Sequence, residues 1–195
     1  MASTSIDHDG APEYVFKLKQ AKNFKQEGNE KYKLKNYKGA VGKYHRALLY
    51  TKGIEQKTNM GPLEGILKLE ESEQARKYEA VPKDVMEEVV KLKLDCYNNL
   101  AACLLQEQVP NYPKIIDYCV DVVEKQPDNV KAMFRLGLAY YETGAFDRAL
   151  SVLRQAKHHP KGEKDPQVKK YIQLCEKNLV QQDSDLKDTY KKMFK

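Results

Sequence analysis

Tyr112-Pro113-Lys114-Ile115-Ile116-Asp117-Tyr118-Cys119-Val120-Asp121-Val122 and Phe146-Asp147-Arg148-Ala149-Leu150-Ser151-Val152-Leu153-Arg154-Gln155-Ala156 carry one apolar pattern twice. Tyr112, Ile115, Cys119 and Val122 recur thirty-four residues later as Phe146, Ala149, Leu153 and Ala156. Steps of three and four residues place each set on one face of a helix. A period of this length marks stacked helical hairpins, because a single hairpin cannot bury its own apolar face. The chain therefore reads as all-α, with its function expected in a groove built by stacking.

A third copy lies upstream: Tyr37, Ala40, Tyr44 and Ala47, preceded by Phe24, Gly28 and Tyr32. Gly28 has a counterpart in Gly137, which is followed by Tyr140, Tyr141 and the turn Thr143-Gly144-Ala145-Phe146. Glycine inside a helix costs about 1 kcal/mol against alanine. Its use at matching places predicts that the second helix of each hairpin approaches the first closely there. Pro127 follows the second copy, where it ends one hairpin and starts the next. On these residues the chain resembles tetratricopeptide-repeat proteins with three repeats. The resemblance implies three helical hairpins in a right-handed superhelix, closed by a C-terminal capping helix.

The boundaries follow from breakers and caps. Residues 1–13 are polar and read as disordered, leaving 14–195 as the repeat domain. Repeat one runs from Tyr14 to Thr51 and turns around Leu34 to Tyr37. Gly53, Gly61, Pro62, Gly65 and Pro82 mark 53–82 as an insertion that cannot be one continuous helix, with a helical stretch over Leu63 to Tyr78. Asp84 followed by Glu87 predicts an N-cap and the start of a long helix through Leu92 and Tyr97 to Leu105, opening repeat two at 84–125. Repeat three spans 129–159. Asp165-Pro166 then starts the capping helix, 165–195, on the spacing Val168, Ile172, Cys175, Leu179.

Composition narrows the class of function. Nearly a third of the 195 residues are charged, which fits helices with one solvated face. No apolar run reaches membrane-spanning length and residues 1–10 hold no secretion signal, so a cytoplasmic protein without membrane insertion is expected. Cys96, Cys103, Cys119 and Cys175 form no Cys-x-x-Cys pair and fall on apolar helical positions, where thiols pack as small hydrophobes. His158 and His159 lack neighbours with ligand spacing and read as loop residues, and His45 reads as a packed or surface side chain. No nucleophile-base arrangement or phosphate loop stands out, so no enzyme, metal or cofactor is implied. The net charge of +6 suggests nucleic acid as a rival partner. Lys31, Lys33, Lys35 and Lys38 are spread around the helix, however, and no base-reading module accompanies them.

Polar residues on the first helix of each repeat point elsewhere. Lys25 and Asn29 stand one helical turn apart in repeat one, Asn98 lies in repeat two, and Lys131 and Arg135 stand one turn apart in repeat three. On the concave side, facing solvent when the groove is empty, three cations and two amides would suit a carboxylate pair at a chain terminus. Position by position the five resemble the dicarboxylate clamp by which tetratricopeptide co-chaperones hold the C-terminal Glu-Glu-Val-Asp tails of the seventy- and ninety-kilodalton heat-shock proteins. That resemblance implies an adaptor with heat shock protein 90, heat shock protein 70 or both as partner. The alternative is a general protein-interaction scaffold, such as a cytoskeletal adaptor, that uses the convex face or the insertion.

A narrower resemblance rests on Cys96-Tyr97-Asn98-Asn99-Leu100-Ala101-Ala102-Cys103-Leu104, Tyr44-His45-Arg46-Ala47-Leu48-Leu49, Gln126-Pro127-Asp128-Asn129 and Tyr190-Lys191-Lys192-Met193-Phe194. With the long insertion, these are similar to the tetratricopeptide repeat protein 9 family, from about Leu18 to the end. The order is also similar to the repeat domain of the large immunophilins, whose isomerase domain and activity are not expected here. Their terminal element opens with Glu-Lys where this chain has Leu186-Lys187. Met86-Glu87-Glu88-Val89-Val90 resembles the chaperone tail itself; it is internal, lacks the final Asp, and reads as a helix start with an acidic first turn.

Overall fold

The computed structural model describes residues 12–59 and 81–193, and side chains of all of these except 56–59. The described residues form eight helices and no strand. The chain divides into two compact units, Met1–Cys96 and Tyr97–Lys195, with the boundary inside the third helix.

In the first unit α1 (Glu13–Lys33) and α2 (Tyr37–Asn59) form a hairpin. Ala21, Ala40 and Ala47 are fully buried, so small side chains set a short distance between the helix axes. A β-carbon on Gly28 would stand 2.6 Å from Tyr44 Cε1, inside any tolerable contact, so the glycine is what admits the buried Tyr44 ring. The turn is a Schellman closure: Lys35 N donates to Tyr32 O at 2.9 Å and Asn36 N to Lys31 O at 2.9 Å. Lys35 holds the left-handed conformation (φ 59°) that this motif requires at its first non-helical residue. Asn36 Oδ1 then caps α2 by accepting from Gly39 N at 2.9 Å.

α2 runs through Gly53 to Asn59, past the end expected for it at Thr51. Ile54 is fully buried, Thr51 satisfies its hydroxyl on Leu48 O at 2.9 Å, and Gly53 O accepts from Lys17 Nζ at 3.3 Å. Packing of Ile54 and these bonds outweigh the low helix propensity of one glycine. The expected helical stretch over Leu63 to Tyr78, like most of residues 1–13, lies outside the described residues.

The third helix, α3, spans Lys83–Leu104 and is longer than the 13- and 14-residue helices after it, as expected. It begins two residues earlier than a cap at Asp84 predicts. Asp84 lies within the first turn instead of capping it, and Pro82 O accepts from Met86 N at 3.1 Å. The carboxylate still meets a helix N-terminus, where the dipole favours it.

The second unit adds α4 (Tyr112–Lys125), α5 (Val130–Glu142), α6 (Phe146–His158), the four-residue α7 (Pro160–Glu163) and α8 (Pro166–Met193). Asn111 and Asn129 cap α4 and α5 by accepting from Lys114 N and Ala132 N. One core gathers Ala101 and Leu104 of α3, Ile115 and Cys119 of α4, and Leu136 and Ala139 of α5. Another joins Met133, Ala149, Leu153 and Ala156 to Val168, Ile172 and Cys175, so the first half of α8 closes the α5/α6 hairpin. Gly137 repeats the role of Gly28, with Leu153 Cγ 2.6 Å from where a β-carbon would be. From Val180 to Met193 the helix is exposed on every side.

Candidate functional site

Lys25 and Asn29 belong to α1 in the first unit; Asn98, Lys131 and Arg135 belong to α3 and α5 in the second. Their helix register follows from the repeat frame. Lys25 and Asn29 are one turn apart on the side of α1 that carries Gly28, and Lys131 and Arg135 are one turn apart on α5.

Within the first unit, Lys25 Nζ lies 2.5 Å from Asp95 Oδ2 on α3. The lysine side chain is 28% exposed and the carboxylate 38%. Asn29 Oδ1 accepts a hydrogen bond from Tyr44 Oη at 2.9 Å. That bond orients the amide, with its oxygen toward the tyrosine.

Within the second unit, Arg135 Nη1 donates to Asn98 Oδ1. The acceptor is a neutral amide, so the two side chains form a hydrogen bond and not an ion pair. The same bond leaves the Asn98 NH2 as a donor. Lys131 is exposed and lines a cavity of about 540 Å³ with Lys125, Gln126, Asp128 and Lys161. Lys131 is exposed, whereas Lys25, Asn29, Asn98 and Arg135 are half-buried, and Lys25 and Arg135 are engaged within the chain.

Two residues that sequence reading passed over shape this arrangement. Asp95 supplies the counter-charge to Lys25, and its spacing of three before Asn98 was the available signal. Tyr44 reads as a core aromatic, and its hydroxyl contact with Asn29, fifteen residues away, has no sequence signature.

All four cysteines are free and buried. Burial pushes the Cys96 and Cys119 thiols up to about 12 and Cys103 up to about 11, against an opposing effect of the Lys25 cation at Cys96 and of Arg135 at the other two. Thiols held protonated in this way are neither nucleophiles nor metal ligands at neutral pH. His158 bonds Arg154 O at 2.6 Å and His159 sits 3.8 Å from Asp128. Among the described residues no group of three or more His, Cys, Asp and Glu could hold a metal, and no helix is long and apolar enough to cross a membrane. Lys25 and Asn29 in the first unit, and Asn98, Lys131 and Arg135 in the second, are each of a side-chain type that pairs with carboxylates.

No family model matches the chain. Tetratricopeptide repeat protein 9C of Xenopus tropicalis is 36% identical to it over 181 residues, which cover 91% of the chain and 93% of that protein. Among solved structures, the C-terminal TPR-containing domain of a Plasmodium falciparum FK506-binding protein superposes with a TM-score of 0.66 at 23% identity, over 88% of this chain and 95% of that one. The Hsp90 co-chaperone Cns1 from Saccharomyces cerevisiae gives 0.59 at 19% identity, over 94% of this chain and 46% of that one. At such identities the two structures speak for the fold.

Proposed function

Since the chain belongs to the tetratricopeptide repeat protein 9 family, we propose that it is a non-enzymatic cytoplasmic co-chaperone that grips the C-terminal Glu-Glu-Val-Asp tail of heat shock protein 90, heat shock protein 70 or both. The observation that carries this reading is the donor set itself. Three cations, Lys25, Lys131 and Arg135, and two amides, Asn29 and Asn98, stand on the first helices of the three repeats, with Arg135 donating to the Asn98 amide and Asn29 accepting from the Tyr44 hydroxyl. Such a set is matched to carboxylate and poorly matched to a cation or an apolar peptide. The likeness in fold to an Hsp90 co-chaperone supports the choice of partner.

In this mechanism Lys25, Asn29 and Asn98 hold the terminal carboxylate and the backbone of the last residue. Lys131 and Arg135 engage its side-chain carboxylate and the neighbouring backbone. Charge-assisted hydrogen bonds of this kind each contribute about 1.5–3 kcal/mol.

Calorimetry with a Glu-Glu-Val-Asp peptide tests the assignment. Arg135→Ala is expected to weaken binding by about 2–5 kcal/mol, the range for truncating one side of a desolvated charge pair. Lys25→Ala is expected to cost less, about 1.5–3 kcal/mol on the scale for one hydrogen bond to a charged group, because Lys25 already has a carboxylate partner to give up. Unchanged affinity in both variants, with helical circular dichroism retained, would remove the clamp and leave the scaffold reading.

A further inference from the structure

We infer that Asp95 is a built-in competitor for the clamp, an internal carboxylate that occupies Lys25 in the empty protein and sets how tightly an acidic chain terminus can bind; this rests on the clamp reading above. Lys25 and Asp95 form a 2.5 Å ion pair between α1 and α3, each partner still partly open to water. The ligand group assigned to Lys25 is also a carboxylate. One ammonium serves both only by sharing its three donors, and the arriving anion meets a negative charge at the site it is meant to enter. Asp95 therefore subtracts from affinity in two ways, by holding the cation and by repelling the ligand.

Alternatively, the pair could be no more than a strut between helices. α1 and α3 are indeed joined by a second ion pair, Lys22 Nζ to Glu88 Oε1 at 2.6 Å. That pair provides an internal control. It links the same helices with the same chemistry, its partners are 48% and 47% exposed, and Lys22 is not in the donor set. A purely structural role predicts that Asp95 and Glu88 behave alike when neutralised. The competitor role predicts that they differ.

Isothermal calorimetry on the full chain, with a Glu-Glu-Val-Asp peptide as free acid and as C-terminal amide, separates the two. Asp95→Asn is expected to bind the free acid about three- to fivefold more tightly than the unmodified chain, the upper part of the range for partly exposed ion pairs. Glu88→Gln is expected to leave affinity within about twofold, and Asp95→Glu, which restores the carboxylate, to do the same. The gain in Asp95→Asn should shrink at high salt as the charges are screened. Equal or weaker binding by Asp95→Asn, or an equal gain in Glu88→Gln, overturns the inference while leaving the clamp intact. If the unmodified chain binds acid and amide alike, the clamp itself falls, and this inference with it.

Discussion

The α1/α2 and α5/α6 hairpins solve one packing problem with the same parts placed differently. Each uses a glycine in its first helix to admit a bulky residue from its second, Gly28 against Tyr44 and Gly137 against Leu153, with the same 2.6 Å approach. Each closes its first helix with the same pair of backbone bonds: Gly144 N donates to Tyr141 O and Ala145 N to Tyr140 O, as Lys35 and Asn36 do upstream. The residues at the turn differ. The first hairpin places Lys35 in the left-handed conformation and follows it with the capping Asn36. The other has Gly144 there (φ 78°) and then Ala145, which offers no side-chain cap. One turn carries strain with a cap, and the other carries neither.

The glycines should give the largest effect on stability. Gly28→Ala is expected to destabilise by about 2 kcal/mol, since overpacking costs about 1–3 kcal/mol and the planar Tyr44 ring, bonded to Asn29, has little freedom to withdraw. Gly137→Ala should cost nearer to about 1 kcal/mol, because the flexible Leu153 can shift and alanine adds helix propensity. Urea unfolding of the two variants compares them; equal losses would mean that the bulky partner does not decide the cost.

The turns come next. Gly144→Ala should destabilise by about 1 kcal/mol, the cost of a β-carbon in the left-handed region. Lys35→Gly should stabilise by about 0.5 kcal/mol, relieving that strain against a larger loss of chain entropy. Ala145→Asn, which supplies the cap present upstream, should stabilise by about 0.5–1 kcal/mol. Thermal melts check all three, and a loss of stability in Lys35→Gly would show that its side chain has a role beyond its backbone angle.

Thiol reactivity sharpens the comparison between the units. Cys96 reports on the first and Cys119 on the second, and burial raises both to about 12. Raised thiol values mean that the folded chain holds these protons where the unfolded chain releases them. Stability is then full below the ordinary thiol value of about 8.5 and declines as pH rises from there toward 12. Labelling by an aromatic disulfide near pH 8 should be slow in both and limited by opening, so that variants with single cysteines rank the local stability of the two units.

Much of the fold was legible because the devices that build it are local. Tyr112, Ile115, Cys119 and Val122 declare a helical face by spacing alone, and Gly28 and Gly137 declare close approach because nothing else justifies glycine in a helix. Asp165 is a cap whose partner, Gln167 N, lies two residues away. The continuation of α2 past Gly53 was not legible, since it depends on the burial of Ile54 and on Lys17, thirty-six residues away. Asp84 marked a helix start correctly but not its first residue. Of the five donor residues the sequence showed type and register. It did not show that Lys25 and Arg135 already have partners, because Asp95 and Asn98 meet them only through tertiary contact.

The central claim is that this chain reads the free carboxylates at the end of an acidic peptide. Calorimetry of the unmodified chain with Glu-Glu-Val-Asp peptides, one ending in the free acid and one in the amide, addresses it most directly. The account predicts clear binding of the acid and a loss of at least about tenfold on amidation, as expected when one charge-assisted bond is removed. Equal affinity for the two peptides would contradict it.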